Sequence, residues 1–277
     1  MDEKFQLMKA VLIGSTGFIG SHIAEELEGR NISYAGLSSK YIDLVSNETR
    51  NRIERQSNMC LDQIADHLSE DTVVINAAWG PNLRSNRDSR LHRNNAENEI
   101  DLIKFVMKFK CKYVSLGSIS EINHELIGQS NDTQYSKAKQ EISNFLDSNY
   151  DNYLWLRIAS AYGYRDSRDW LVTQLIKDGP QFKVKTPDAL LNLTDVNSIS
   201  RSVINQGFED KVGVLNFWSE QWMTVANIRD CYQYLSAPIY EEPTFEYFAL
   251  ADKQGFKLES ENILDFFKDR RAQSNIV

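Results

Sequence analysis

The sequence predicts an α/β protein built on a doubly wound parallel sheet with a smaller carboxyl-terminal domain. Three observations carry this. Short apolar, β-branched runs alternate with amphipathic stretches of helical period through the first half of the chain, and a glycine-rich turn joins the first run to the first such stretch. Beyond residue 162 the periodicity weakens, aromatic residues become commoner, and four of the five prolines appear (Pro180, Pro187, Pro238 and Pro243). With 277 residues the chain can bury a large core without disulfide or metal staples.

The predicted strands are Ala10 to Ile13, Ile32 to Leu37, Thr72 to Asn76, Tyr113 to Leu116 and Leu154 to Ile158, nearly continuous in apolar character as strands covered on both faces are. Between the first two, Ile19, Ile23 and Leu27 recur every fourth residue with Ser21, Glu25 and Glu26 opposite, which is a helix with one buried stripe. A helix from Ala96 to Lys110 is apolar most of the way round: Ile100, Ile103 and Met107 mark one face, and Leu102, Val106 and Phe109 another. Deep burial, or one face on the sheet and the other on a second subunit, fits that pattern equally. A last helix spans Glu259 to Arg271, with Ile263, Phe266 and Phe267 on one side. The expected domains are 1–162 and 163–277, with part of 190–225 returning to the first.

Composition narrows the function. There are 39 acidic against 31 basic side chains, a net charge of −8 with no basic cluster, which disfavours a nucleic-acid surface because phosphate backbones are held mainly by Lys and Arg. Cys60, Cys111 and Cys231 are far apart and form no metal or disulfide pattern, and His22, His67, His92 and His124 lack ligand spacing, so no metal site is expected. The acidic start of the chain and the short apolar run at Ala10 suit neither a signal segment nor a membrane span, and a cytoplasmic protein is expected.

Gly14-Ser15-Thr16-Gly17-Phe18-Ile19-Gly20 follows the first strand and opens the first helix, the context that a dinucleotide loop requires. Gly14 allows a tight turn, Gly17 lets backbone amides approach a pyrophosphate, and Gly20 lets helix and strand pack closely. The helix N-terminus supplies oriented N–H donors. An NAD site usually carries a carboxylate at the end of the second strand, roughly 20 residues on. Here that place falls on Ser38, Ser39 and Lys40, two hydroxyls and an ammonium suited to a 2′-phosphate, so NADPH is favoured and NAD remains open. Asp43, in Tyr41-Ile42-Asp43-Leu44, is assigned to the adenine side of the pocket.

Tyr135 and Lys139 lie four apart, on one helix face. A free phenol ionises near pH ~10, and an ammonium one turn away stabilises the phenolate, which makes such a pair a general acid/base. Ser118, in Leu116-Gly117-Ser118, lies 17 residues before Tyr135 at the end of a predicted strand. Asn76-Ala77-Ala78 ends an earlier strand with residues small enough for a cofactor to lie close, Trp79 follows it, Asn95 opens the long apolar helix, and Arg157-Ile158-Ala159-Ser160-Ala161-Tyr162-Gly163 closes the next strand.

These motifs, in this order, resemble the extended short-chain dehydrogenase/reductases, the NAD-dependent epimerase/dehydratase family acting on nucleotide sugars. The resemblance runs from about Met8 to Ser236, continuing through Leu193-Thr194-Asp195-Val196 and Leu215-Asn216-Phe217. It implies a Rossmann-type domain with a small substrate-binding domain, and often a homodimer, here through the helices near 96–110 and 136–149. It also implies a catalytic set of Ser118, Tyr135 and Lys139. Tyr135 would exchange a proton with a sugar oxygen, Ser118 would hydrogen-bond that oxygen, and Lys139 would hold the nicotinamide ribose. The cofactor pocket would comprise residues 14–20, Ser38, Ser39, Lys40, Asp43, Leu44, Ala77, Ala78, Trp79, Asn95, Tyr135, Lys139 and Ala159. Substrate would meet Ser118, Ser120 and Tyr162, with Arg165 and Arg201 for a diphosphate because guanidinium matches phosphate geometry.

Within the family, dehydratases place an Asp-Glu pair directly after the catalytic hydroxyl. This chain has Ile119-Ser120 there, with Glu121 out of register. Reductases that also epimerise carry a cysteine where Ser120 stands. What remains is simple keto reduction, closest in character to the dTDP-4-dehydrorhamnose reductase branch, on a 4-keto-6-deoxy sugar nucleotide. The rivals are a nucleotide-sugar 4-epimerase holding NAD tightly and a non-catalytic NADP-binding sensor or scaffold. The interval from 119 to 134 is shorter than the family's usual loop and lacks its Tyr-Gly, which points to an unusual substrate pocket.

Overall fold

A computed structural model describes residues 9–37, 64–79, 87–122, 133–166, 171–179, 182–235, 239–241, 255–258 and 261–274. The larger sheet is formed by β1 (Lys9–Ile13), β2 (Ser33–Leu37), β3 (Thr72–Asn76), β4 (Lys112–Ser118), β5 (Tyr153–Ile158), β8 (Gly213–Ser219) and β10 (Gly255–Leu258). Every pairing in it is parallel, in the order β2-β1-β3-β4-β5-β8-β10. β6 (Ser160–Tyr162), β7 (Leu190–Asp195) and β9 (Gln221–Thr224) make a separate mixed sheet in the order β6-β7-β9.

The apolar runs become strands because both faces of the sheet are covered. Along β1, β3, β4 and β5 the side chains alternate between two cores. Ala10, Leu12, Val73, Ile75, Val114, Leu116, Leu154 and Leu156 face one core, shared with Ile23 and Leu27 of α1 (Phe18–Gly29) and Ile199 and Val203 of α5 (Val196–Gly207). Val11, Val74, Tyr113, Tyr153 and Trp155 face the other, shared with Ile103 and Val106 of α2 (Leu91–Met107) and Ala138, Ile142 and Leu146 of α3 (Gln134–Asn149). A third core joins the small sheet to α4 (Leu171–Asp178), α6 (Val225–Tyr234) and α7 (Ile263–Ser274) through Tyr162, Leu175, Leu193, Met223, Ile228, Phe266 and Phe267.

The five predicted strands are present within two residues of their expected bounds. The long helix runs over Leu91–Met107, earlier than the 96–110 expected, because Ser89 Oγ accepts the Leu91 N–H and the chain leaves helical geometry at Lys110, with φ 55°. The last helix likewise sits later, at Ile263–Ser274. Residues 213–219 return to the larger sheet, and so do 255–258, whose brief Gly-Phe-Lys-Leu carries no distinctive pattern and becomes a strand through pairing with β8.

β1 lies between β2 and β3, so the chain reverses its direction across the sheet there. In open α/β sheets that reversal leaves a crevice at the carboxyl edge. The glycine loop stands in it. A Cβ on Gly20 would lie 1.9 Å from the Gly14 carbonyl oxygen, whereas one on Gly29, at the end of the same helix, would meet nothing within 4 Å. Gly20→Ala should lower the unfolding free energy by about 1–3 kcal/mol, and Gly29→Ala should leave it unchanged or raise it by about 0.5–1 kcal/mol, both measured by urea denaturation.

Candidate active site

The loop between β1 and α1 is held from two sides. The Gly14 and Ser15 N–H groups donate to the Leu37 carbonyl at 2.8 and 3.0 Å, and Ser15 Oγ donates to the same oxygen at 3.1 Å, tying the loop to the end of β2. On the other side Gly14 adopts φ +85°, and a Cβ there would sit 2.7 Å from the Ala78 nitrogen, so the loop packs directly on the segment after β3. Asn76 Oδ1 accepts the Ala78 N–H at 3.1 Å, and the Ala77 N–H bonds to the Ile13 carbonyl. α1 begins after Gly17 with no side-chain cap and no acidic residue in its first turn, while Phe18 and Ile19 turn their side chains toward the core. Uncapped amides at the switch point of a parallel sheet fit a pyrophosphate.

Ser118 ends β4 and caps a single 3-10 turn at residues 119–121. Its Oγ accepts the Ser120 N–H at 3.2 Å and lies 2.8 Å from Ser120 Oγ, both side chains being buried. Glu121 turns back beneath it. Glu121 Oε1 accepts the Ser118 N–H at 2.5 Å, and Oε2 accepts Trp155 Nε1–H at 2.8 Å and Arg157 Nε–H at 3.0 Å. Gly117 makes the room: a Cβ there would lie 2.3 Å from Trp155 Nε1 and 2.5 Å from Glu121 Oε1. Burial pushes the Glu121 carboxyl above its ordinary 4.5, while Arg157 and the hydrogen bonds pull the other way.

Thr133 Oγ1 caps α3 by accepting the Ser136 N–H, which sets Tyr135 in the first turn and Lys139 one turn on. The Tyr135 N–H donates to the Arg87 carbonyl at 2.9 Å, and the Arg87 guanidinium lies 5.1 Å from the Tyr135 ring centroid. Trp79 meets the same ring edge-on at 5.7 Å and His92 at 5.2 Å. Lys139, 4% exposed, donates to the Leu116 carbonyl at 2.8 Å and stands 3.7 Å from the Trp79 ring and 5.3 Å from that of Trp155. Trp79, Tyr135 and Lys139 thus form one cluster, anchored to β4 through Leu116.

Behind this cluster α2 presents Glu99, 5% exposed, whose Oε1 accepts Ser115 Oγ–H at 2.5 Å and Tyr113 OH at 3.1 Å. Asn76 Nδ2 donates to the same phenol at 3.2 Å, and burial, then the Glu99 charge, push the Tyr113 hydroxyl well above its ordinary value. Asn95 is half-buried, and its Nδ2 is buried with no hydrogen-bond partner among the described residues.

Other expected site residues lie elsewhere. Tyr162 is fully buried in the third core, with its hydroxyl donating to the Glu261 carbonyl, which ties the small sheet to the start of α7. Arg165 is ion-paired to Glu25 of α1 at 2.5 Å, and Arg201 bonds to Ser198 one turn back in its own helix. Ala159 is half-buried between β5 and β6. Ser38, Ser39, Lys40, Asp43 and Leu44 fall outside the described residues, as does most of the 119–134 interval. Sequence reasoning gave no role to His92, Arg87 or Glu99. The spacing of His92, Asn95 or Ala96, and Glu99 along one helix face was the available signal.

A glycine loop at the switch point of a parallel sheet, with a Tyr-Lys pair beside the end of β4, defines an enzyme of the extended short-chain dehydrogenase/reductase type. The chain belongs to the NAD dependent epimerase/dehydratase family, whose sequence pattern matches residues 10–198. An NAD(P) cofactor is typical of that family. No curated protein sequence matches the chain. Among solved structures it is similar to UDP-N-acetylglucosamine 4-epimerase from Bacillus cereus (17% identity, 96% of this chain and 99% of that one, TM-score 0.66). It is also similar to the Bordetella bronchiseptica enzyme WbmG in complex with NAD and UDP (14%, 97% and 94%, 0.69). A dTDP-4-dehydrorhamnose reductase from Clostridium acetobutylicum is comparable (16%, 97% and 100%, 0.65). Among the described residues no helix is long and apolar enough to cross a membrane.

The Glu121 carboxyl has a pH signature. Between 4.5 and its raised folded value the native state holds a proton that the unfolded chain has released, so this group makes stability fall as pH rises through that window. Glu121→Gln should remove that fall, seen as a narrowing gap between wild-type and variant unfolding free energies as pH is raised from about 4 to 7.

Proposed function

We infer that the protein reduces a keto group on a sugar nucleotide, of the 4-keto-6-deoxyhexose type, using NADPH. The observation that carries this reading is the position of Glu121. The carboxylate nearest Ser118 is engaged by Ser118 N–H, Trp155 and Arg157 and is 4% exposed, so it is taken up by the protein interior. Ile119 cannot act as acid or base, and Ser120 is a weak one. Among the described residues that leaves a hydroxyl pair and a Tyr-Lys pair, enough for one proton and one hydride and short of what dehydration or coupled epimerisation needs.

The residues of the glycine loop, with Ala77, Ala78 and Trp79, would hold the dinucleotide, and Ser38, Ser39 and Lys40 would accept its 2′-phosphate. The cofactor supplies the hydride. Tyr135 gives its phenolic proton to the sugar carbonyl oxygen, and Ser118 donates a hydrogen bond to that oxygen, its own Oγ steadied by Ser120. Lys139 holds the nicotinamide ribose and stabilises the phenolate left on Tyr135. Tyr135→Phe should keep cofactor affinity and lose roughly 10²- to 10⁴-fold in turnover, measured as NADPH oxidation against 4-keto sugar nucleotides of different bases. Unchanged turnover would remove Tyr135 from the mechanism.

A second reading has a specific basis, since one similar structure is a UDP-N-acetylglucosamine 4-epimerase and another holds NAD and UDP. Stoichiometric NAD that survives dialysis of the purified protein would favour the epimerase. Loss of Ser118, Tyr135 and Lys139 chemistry, as in a sensor or scaffold, is disfavoured by the presence of all three. The enzyme would act in the cytoplasm as a homodimer through α2 and α3, a pairing supported by the half-buried Leu102 and Phe105 of α2, Phe109 just beyond it, and Phe145 of α3. Phe105→Glu should then convert a dimer to a monomer in light scattering.

A further inference from the structure

The cluster around the catalytic pair contains a histidine that the reaction itself does not use. His92 lies in the first turn of α2, is 1% exposed, and accepts the indole N–H of Trp79 on Nδ1 at 3.2 Å. Its ring lies nearly parallel to the indole, at 22° with centroids 6.0 Å apart, and meets Tyr135 edge-on at 5.2 Å. We propose that His92 is a positioning residue: by holding the Trp79 indole it sets the Lys139 ammonium and so governs how the cofactor is engaged. This rests on the role given to Lys139 above.

The chain of contact is continuous. An indole whose N–H is bonded cannot rotate about its own axis without losing that bond, so His92 determines which surface Trp79 presents. That surface is the ring face, 3.7 Å from Lys139 Nζ, a close cation–π contact with a side chain only 4% exposed. The Leu116 carbonyl takes one of the ammonium protons at 2.8 Å, and Trp155 stands beyond at 5.3 Å. The ammonium is therefore located by one carbonyl and two indoles, and of the two indoles only Trp79 borders the cofactor crevice. Trp79 continues from Ala77 and Ala78, which pack against Gly14. His92 thus reaches Lys139 through Trp79 and meets Tyr135 with its own ring. A phenylalanine at position 92 would preserve the stack and remove the acceptor, while glutamine would restore an acceptor with its Oε1.

The test measures NADPH dissociation constants by the fluorescence of the bound nucleotide. His92→Phe and Trp79→Phe should each weaken binding about tenfold, the double variant should be no weaker than either single, and His92→Gln should return to within about twofold. The ¹⁵N spectrum should show the His92 ring protonated on Nε2, with its Nδ1 resonance shifted by Trp79→Phe. Wild-type affinity in both single variants, or losses that multiply in the double, would overturn the proposal. Should His92→Phe fail to fold, His92→Leu, which also removes the Nδ1 acceptor and leaves Trp79 in place, carries the same test. Lys139→Ala separates the two layers. Weakened binding in it with none in His92→Phe overturns only the role of His92, whereas unchanged affinity in Lys139→Ala overturns the assignment of Lys139 and this inference with it.

Discussion

Two stretches of backbone meet at the carboxyl edge of the sheet at a distance that no side chain tolerates, and the site is organised around that contact. Gly14 presses on Ala77 and Ala78, and Gly20 closes on Gly14 from the helix side. Parallel strands make this possible, since β1 delivers the loop and β3 delivers the small residues to the same edge in register. With Cβ atoms absent there, the turn into α1 is tight and its first amides point outward. Trp79 emerges from the same contact, so whatever fixes the loop also fixes the ring that stands against Tyr135 and Lys139.

The face of the sheet beneath α2 and α3 is unusually polar for a core. Glu99 and Glu121 are both buried within it, each receiving hydroxyl, indole, amide or guanidinium donors. A buried carboxylate is tolerated only when it is hydrogen-bonded or paired, and removing one partner strands the rest. These two groups therefore act as fasteners: Glu99 draws β4 onto α2, and Glu121 draws the Ser118 turn onto β5. Their directionality, which an apolar core lacks, holds Ser118 and the segment leading to Trp79 at fixed heights above the sheet edge.

Lys139 shows how such a frame is used. Helix geometry alone puts it on the same face as Tyr135, but a lysine side chain has many rotamers, and the sequence spacing says nothing of where the ammonium comes to rest. The Leu116 carbonyl and the indoles of Trp79 and Trp155 select one position. The Tyr135–Lys139 pair is in this sense local in sequence, and its geometry is supplied by Leu116 of β4, Trp155 of β5 and Trp79 just beyond β3.

The patterns that were legible in the sequence are those governed by short-range rules. Nearly continuous apolar, β-branched runs such as Thr72 to Asn76 read as strands covered on both faces, the Ile19, Ile23 and Leu27 stripe reads as a helix packed on one side, and the glycines at 14, 17 and 20 suit a strand turning at once into a helix. Ser118, Tyr135 and Lys139 stood out because their order and spacing are local features. The rest depended on partners distant in the chain. Gly255 to Leu258 becomes a strand only because β8 offers an open edge, and Tyr162 is drawn into the core by the carbonyl of Glu261. Glu121 looked like a misplaced acid until Trp155 and Arg157, more than 30 residues on, gave its carboxylate a buried destination. His92 looked like an isolated histidine until Trp79 was set against it. Amino-acid order determined the elements and the reactive groups, because backbone periodicity and turn chemistry are local. Tertiary structure decided where those groups point, because a buried polar side chain takes its orientation from whichever distant donor or acceptor satisfies it.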